Sequence, residues 1–162
     1  TNRIYYSMGI TKWDIRFMQM AKEISNWSKD PSRKIGAVAI DENRRILSTG
    51  YNGFPAGIDD SFDRLNDRDK KYKYVIHAEK NCIYNACLNG ISLKDSLLYV
   101  WGLPVCSECA KGVIQVGVSK VFYGYSIKDY DDSVWLDSFQ ITKSMFDEVG
   151  IEVHRINFND LS

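Results

Sequence analysis

Helical stretches closed by glycine alternate with short apolar strands through the second half of the chain, and this alternation most constrains its fold. Gly90, Gly117 and Gly150 each stand at the end of a predicted helix, where glycine readily takes a left-handed conformation. The helices are predicted at residues 78–89, 106–116 and 133–149, and the strands that follow them at 97–100, 118–125 and 151–156. Strands joined through helices pair in parallel, with the helices covering the sheet. This half of the chain is therefore expected to be α/β.

The first half of the chain adds one helix and a hairpin. Thr11 is a candidate N-cap for a helix that runs to about Lys29, because apolar residues recur there at intervals of three and four. Apolar runs at residues 35–40 and 46–49, separated by a turn, predict two antiparallel strands. Residues 50–72 are predicted to form a long loop. Together these elements predict a three-layer α/β/α sandwich around a five-stranded mixed sheet.

The charge balance limits what the protein is expected to bind. The 162 residues include 21 basic and 21 acidic side chains, so the formal net charge is zero. Proteins that bind polynucleotides usually carry a basic excess, so a small ligand is expected rather than a polynucleotide. No apolar run approaches the ~18 residues that a membrane span requires, and no segment resembles a signal peptide. We expect a single domain over residues 1–162, in the cytoplasm and without a membrane partner.

Two short motifs bring metal-ligating side chains to the starts of two predicted helices. Cys106 and Cys109 are separated by two residues, so both sulfurs can face one metal from a single helical turn. Thiolates combined with an imidazole select zinc, and His77 would supply the third ligand. Three protein ligands leave the fourth tetrahedral position to water, which is typical of a catalytic site. We therefore expect one Zn²⁺ per chain.

Glu79 lies two residues after His77 and is the candidate proton carrier. A regular helix would put these two side chains on different faces, so both must approach the metal from the first turn. A carboxylate can take a proton from zinc-activated water and return it to a ring nitrogen and then to departing ammonia. The combination of His-x-Glu with a later Cys-x-x-Cys is the signature of zinc nucleobase deaminases. The predicted chemistry is hydrolytic deamination at C4 of cytosine.

Less specific interpretations apply to several cysteines and aromatic residues. Cys106 and Cys109 could belong to a structural zinc site, but such a site needs a fourth ligand. Cys82 and Cys87 are instead expected to be small buried apolar residues. The aromatic residues at helical spacing near the N-terminus, Trp27 among them, are expected in the core.

Beyond the zinc motifs, the chain resembles the deoxycytidylate deaminase family of the cytidine deaminase-like superfamily. The matching segments are residues 30–38, 50–57, 64–68, 71–79 and 109–117. The resemblance implies a cytidine deaminase-like fold and hydrolysis of dCMP to dUMP and ammonia. It implies zinc binding by His77, Cys106 and Cys109, with Glu79 as the catalytic residue. Another cytosine nucleotide, such as dCTP or CMP, and a base within a polynucleotide are the alternative substrates.

The resemblance also implies substrate contacts outside the zinc motifs. Asn52 would hydrogen-bond the sugar, and Ser32, Arg33 and Lys34 would lie near the 5′-phosphate. From the residues alone, Asn52 beside Gly53 fits a simple turn equally well. Arg33 and Lys34 likewise fit an ordinary solvated surface.

Regulation and assembly are further implications of the resemblance. Family members often form hexamers that dCTP activates and dTTP inhibits, so a homo-oligomer with nucleotide effectors is expected. The effectors would bind near Gly50, Tyr51, Asn52 and Gly53, and Mg²⁺ would accompany a triphosphate. The product dUMP would feed dTMP synthesis, which makes such feedback chemically sensible.

Two positions depart from the family pattern. Val105 stands between Pro104 and Cys106, where the family has proline directly before the first zinc cysteine. Lys80 follows Glu79, where an apolar residue is usual. The charged run at residues 59–73 is expected to be a solvated lid or a subunit contact.

Overall fold

The computed structural model describes residues 9–125 and 132–157. The helices are α1 Lys12–Ser25, α2 Phe62–Asn66, α3 Arg68–Tyr74, α4 Ala78–Leu88, α5 Ser107–Gln115 and α6 Asp132–Val149. The strands are β1 Gly36–Ile40, β2 Ile46–Tyr51, β3 Leu97–Trp101, β4 Lys120–Tyr125 and β5 Glu152–Asn157. The longer predicted elements therefore form as expected, with small differences at their ends.

The five strands form one mixed sheet in the order β2-β1-β3-β4-β5. Strand β1 is antiparallel to both of its neighbours, with Val38 opposite Thr49 of β2 and opposite Tyr99 of β3. Strands β3, β4 and β5 run parallel, as expected for strands connected through helices. The predicted five-stranded mixed sheet is confirmed.

Helices cover both faces of the sheet and complete the predicted three-layer α/β/α sandwich. One core lies between α1 and the sheet, where Met18 and Ala21 pack with Val38. The other lies beneath α4, α5 and α6, and Ala37 and Ala39 face into it. Side chains alternate across a strand, so successive β1 residues contribute to different cores. The burial of all five β1 residues follows from this coverage on both faces.

Helix α1 begins as predicted but ends earlier. Thr11 forms a capping box with Asp14, each side chain accepting from the other residue's backbone N–H. Asp14 is buried and also accepts a hydrogen bond of 2.6 Å from the Tyr99 hydroxyl. The helix ends at Ser25, so Trp27 lies beyond it and is 63% exposed. The prediction that Trp27 belongs to the core was wrong, because it assumed that the helix continued.

The predicted loop of residues 50–72 contains two short helices instead. Ser61 caps α2 by accepting from the Arg64 N–H, and Asp67 caps α3 by accepting from the N–H groups of Asp69 and Lys70. With five and seven residues, neither helix has room for an apolar periodicity that a sequence analysis would detect. This segment lies directly before Ile76, which pairs with Gly53 in an isolated β-bridge, and before α4, which carries part of the candidate site.

Candidate active site

Three metal-ligating side chains meet at the N-termini of α4 and α5. His77 is the N-cap of α4, Cys106 is the N-cap of α5, and Cys109 lies in the first turn of α5. The His77 Nδ1 atom lies 3.4 Å from the Cys106 Sγ and 3.3 Å from the Cys109 Sγ. Bond lengths in tetrahedral zinc sites place nitrogen and sulfur ligands about 3.5 Å apart. This His/Cys/Cys group is therefore compatible with one zinc ion.

The surroundings of the two thiols favour a negative charge at this point. The Cys109 N–H donates to the Cys106 Sγ at 3.4 Å, so one of the unpaired donors of the helix start faces sulfur. Hydrogen bonding from Cys109, and then from His77, lowers the pKa of Cys106 to about 4. The same shared bond raises the pKa of Cys109. Of the two thiols, Cys106 therefore ionises more readily.

Glu79 lies beside this group and is withdrawn from water. Because His77 precedes α4 as its N-cap, Glu79 falls in the first turn and both reach the site from the helix end. The Glu79 side chain is buried, with only 4% of the residue exposed. Burial, reinforced by the nearby Cys106, raises the pKa of Glu79 from 4.5 to about 7. A carboxyl group poised near neutrality can both accept and donate a proton.

A cavity of about 370 Å³ opens in front of Glu79, His77 and Cys106. Its lining is completed by Asp30, Ser32, Arg33, Ile35, Asn52, Leu65, Asn66, Arg68, Lys71, Tyr72, Val75, Leu103 and Pro104. The metal-ligating group thus occupies one part of a cavity whose other lining residues include several cations. A volume of this size lies in the range of small-molecule sites.

Of the three residues expected near a phosphate, two line the cavity. Ser32 and Arg33 line the cavity, whereas Lys34 lies outside it, in a neighbouring surface depression with Trp101 and Gly102. The turn that carries these residues is fixed by Asp30, whose Oδ1 accepts from the N–H groups of Ser32 and Arg33 at 2.8 and 3.2 Å. Ser32 and Arg33 also line that depression, so Lys34 differs from them only in not lining the cavity.

Asn52 lines the cavity, but its side-chain amide also organises the neighbouring turn. Its Oδ1 accepts from the Ile35 N–H at 2.9 Å, and its Nδ2 donates to the Arg33 carbonyl at 2.8 Å. The same Nδ2 lies 3.4 Å from the Asp30 Oδ2. Asn52 therefore holds residues 30–35 against the end of β2, and its contact with a sugar stays a prediction.

A buried ion pair that the sequence analysis missed joins α3 to this turn. The Lys71 Nζ lies 3.1 Å from the Asp30 Oδ1, and both side chains are only 8% exposed. The charged run at residues 59–73 was expected to be a solvated lid or a subunit contact, whereas Lys71 is buried against Asp30 of the same chain. Nothing in the alternation of charges distinguishes Lys71 from its exposed neighbour Lys70. Arg68 and Tyr72 of the same helix also line the cavity.

The glycine-rich segment proposed for effectors has a visible packing role. A Cβ atom added to Gly50 would lie 2.3 Å from the Cys82 N and 2.6 Å from the Ala78 O, because β2 and α4 approach closely there. Gly53 pairs with Ile76 in a backbone bridge. Tyr51 is partly exposed and packs edge-on against a tryptophan ring. Gly50, Tyr51 and Gly53 do not line the cavity, and their role in effector binding stays a prediction.

Comparison with known proteins places this geometry in a family. Residues 11–125 match the model of the cytidine and deoxycytidylate deaminase zinc-binding region. The chain belongs to the cytidine and deoxycytidylate deaminase family. This deaminase is 41% identical over 144 residues to an uncharacterized deaminase of Aliivibrio fischeri, covering 89% of this chain and 93% of the relative. It is 36% identical over 147 residues to deoxycytidylate deaminase of Pongo abelii, and the match covers 86% of this chain and 77% of the relative.

A solved structure extends the similarity to three dimensions. The dCMP deaminase of cyanophage S-TIM5, crystallised with dCMP and dUMP, matches this deaminase with a TM-score of 0.66 and 26% identity. The match covers 88% of this chain and 95% of the phage chain. The protein is thus a zinc-type deaminase, a hydrolase that acts on carbon–nitrogen bonds, with a cytidine deaminase-like fold.

Proposed function

We propose that this deaminase hydrolyses dCMP to dUMP and ammonia. The observation that carries the proposal is the buried Glu79 beside the His77, Cys106 and Cys109 group, on a cavity that is also lined by cationic side chains. The relatives described as deoxycytidylate deaminases support the choice of substrate. A zero net charge argues against a polynucleotide as the usual substrate.

The proposed mechanism assigns the movement of protons to Glu79. His77, Cys106 and Cys109 would hold the zinc ion, which when bound would supply a water activated for attack at neutral pH. The Glu79 carboxylate accepts one proton of the attacking water and gives it to N3 of the cytosine ring. It then carries the second proton to the departing amine, so that water and dCMP become dUMP and ammonia. Burial supports this cycle because it raises the pKa of Glu79 and so favours the protonated form that donates to the substrate.

Recognition of the phosphate is proposed for polar and cationic side chains of the cavity lining. Ser32 and Arg33 line the cavity from the turn before β1, and Arg68 lines it from α3. A guanidinium group matches phosphate oxygens in shape and charge. Asn52 is adjacent and is proposed to contact the deoxyribose in addition to holding the turn. Lys34 does not line the cavity but lines a neighbouring surface depression together with Ser32 and Arg33, so its contact with the phosphate stays a prediction.

Regulation, assembly and location are proposed on the family resemblance. The enzyme would be activated by dCTP and inhibited by dTTP, with Mg²⁺ accompanying the triphosphate near Gly50, Tyr51, Asn52 and Gly53. It would work as a homo-oligomer, a hexamer by resemblance, and would supply dUMP for dTMP synthesis in the cytoplasm. In the described residues, 9–125 and 132–157, no helix has the length and hydrophobicity for a membrane span.

Release of ammonia from a panel of substrates tests the proposal. The panel contains dCMP, CMP, deoxycytidine, dCTP and a short single-stranded DNA, each with and without Mg²⁺ and dCTP or dTTP as effector. We expect turnover to be fastest on dCMP, and Arg33→Ala to raise KM for dCMP without changing turnover of deoxycytidine. A protein that carries zinc but does not deaminate dCMP under any of these conditions would overturn the proposed substrate.

A further inference from the structure

Helix α6 holds the turn that carries Cys106. The Thr142 Oγ1 donates to the Val105 carbonyl at 2.9 Å. The Ser138 Oγ accepts from the Ser107 N–H at 2.9 Å and donates to the Ser107 Oγ at 3.2 Å. Ser138 and Thr142 are four residues apart, so they lie on the same face of α6. The backbone on both sides of Cys106 is thereby bound to this helix.

The burial of Thr142 makes its hydrogen bond costly to lose. Thr142 is fully buried, and so is Phe146 one turn later, while Val105 is 1% exposed. A hydroxyl and a carbonyl in such apolar surroundings are tolerated when they bond to each other, and each is destabilising when left alone. A valine at position 142 would fill almost the same space and would serve packing equally well. The polar pair therefore indicates a requirement for orientation rather than for volume.

The contact from Ser138 has a similar basis. Ser107 is the first residue of α5, and its N–H is one of the donors that a helix leaves unpaired at its start. Ser138 satisfies that N–H, while the Cys106 Sγ accepts from the N–H of Cys109. Three consecutive residues, 105 to 107, are thus fixed by hydrogen bonds. The direction of the Cys106 Sγ depends on all three.

One partner in each of these contacts lies outside the matched zinc region. Helix α6 lies outside residues 11–125, which match the family model. Val105 is the residue that separates Pro104 from Cys106, and its carbonyl is the group that Thr142 binds. The turn that carries Cys106 is therefore secured by a helix outside the matched zinc region.

We propose that Ser138 and Thr142 are positioning residues of the zinc site. They act through the backbone of Val105 and Ser107 and set the direction in which Cys106 presents its sulfur to the metal. Groups that orient metal ligands in this way typically change metal affinity by about 10- to 100-fold when they are lost. The inference rests on zinc binding at this site and is independent of which cytosine nucleotide is deaminated.

Zinc affinity provides the first test. The zinc-loaded protein is titrated with a chromophoric chelator, and the affinity of T142V is compared with that of T142S. We expect T142V to bind zinc about 10- to 100-fold more weakly, because it lacks the hydroxyl and leaves the Val105 carbonyl unpaired. T142S keeps the hydroxyl and is expected to bind zinc nearly as tightly as the original protein.

A second variant and a spectroscopic measurement separate positioning from stability. S138A removes a partly exposed side chain and is expected to fold even if T142V does not. Cobalt substitution reads ligand geometry, and we expect S138A to shift the sulfur-to-cobalt absorption bands and to weaken zinc binding. S119A is the control, since Ser119 donates to the Ser96 carbonyl just before β4 and β3, away from the metal-ligating group.

One pattern of results would overturn the inference. If T142V or S138A lowered the stability of the fold but left zinc affinity and the cobalt spectrum unchanged, their role would be structural. Failure of the protein to deaminate dCMP would bear on the proposed function alone, because neither measurement uses a nucleotide.

Discussion

Glu79 has a carboxyl group that the fold keeps away from water and next to three potential metal ligands. We expect Glu79→Gln to retain its fold and its zinc and to lose about 10²- to 10⁴-fold in kcat, the usual contribution of general acid–base catalysis. Ammonia release per bound zinc is the measurement. Glu108→Gln is the matched control, because Glu108 is an exposed carboxylate that pairs with Lys111. Near-normal turnover by Glu79→Gln would remove Glu79 from the mechanism.

Glu79 is also expected to make the stability of the fold depend on pH. In the zinc-free protein the pKa of Glu79 rises from 4.5 in the unfolded chain to about 7 in the fold. A raised acid pKa means that ionisation destabilises the fold, so the cost is absent below about pH 4.5 and complete above about pH 7. As the pH rises between these limits, we expect the free energy of unfolding of Glu79→Gln to increase by about 3 kcal/mol relative to that of the original protein. Urea unfolding of both proteins after chelation, at pH 5 and pH 8, measures it. If the two proteins differed in stability by the same amount at both pH values, folding would not raise the pKa of Glu79.

The positions of some single residues could be predicted from the sequence alone, and those of others could not. The two-residue spacing of Cys106 and Cys109 fixes their proximity within one helical turn, so their approach to a common point could be predicted. The position of Lys34 outside the cavity depends on the Asp30 turn, a conformation that spacing does not determine. Cys87 was expected to be buried and is exposed, because helix α4 presents it away from the sheet.

At the scale of the elements, the packing of α3 depends on the buried ion pair of Lys71 with Asp30. We expect Lys71→Met to lower the free energy of unfolding by about 3–5 kcal/mol, because it leaves Asp30 buried without its cation. Lys70→Met is the control on the same helix. The Lys70 pair with Asp63 is exposed, so its loss should leave stability nearly unchanged. Denaturant unfolding of the two variants measures the difference, and equal stabilities would contradict a structural role for the buried pair.

Elements with a clear periodicity were predictable and the others were not. Helices α4 and α5 and strands β3 to β5 lie within two residues of their predicted ends, since apolar spacing and a closing glycine define them. Helices α2 and α3 were missed because their stability comes from capping by Ser61 and Asp67 and from the Lys71 contact. The position of β1 between β2 and β3 depends on packing over the whole sheet, which local patterns do not contain.

At the scale of the whole molecule, the candidate zinc ligands connect two separate helices on one side of the sheet. His77 comes from the start of α4, and Cys106 and Cys109 from the start of α5, with 28 residues between His77 and Cys106. Both helices pack on the same core, which also includes residues of α6. A metal bound to all three side chains therefore restrains parts of the chain that are distant in sequence, and its binding free energy adds to folding stability.

Removal of the metal should therefore lower the thermal stability of the molecule. A ligand that binds only the folded state stabilises it by RT ln(1 + [L]/Kd), which is about 4 kcal/mol when free zinc exceeds Kd a thousandfold. We expect chelation to lower Tm by several degrees and added zinc to restore it, as followed by calorimetry. Cys106→Ser removes one ligand, so its Tm should no longer respond to zinc. Cys87→Ser changes an exposed cysteine near the end of α4 and should respond like the original protein. If the Tm of Cys106→Ser still rose with zinc, the metal would be held by other residues, and the assignment of the ligands would be wrong.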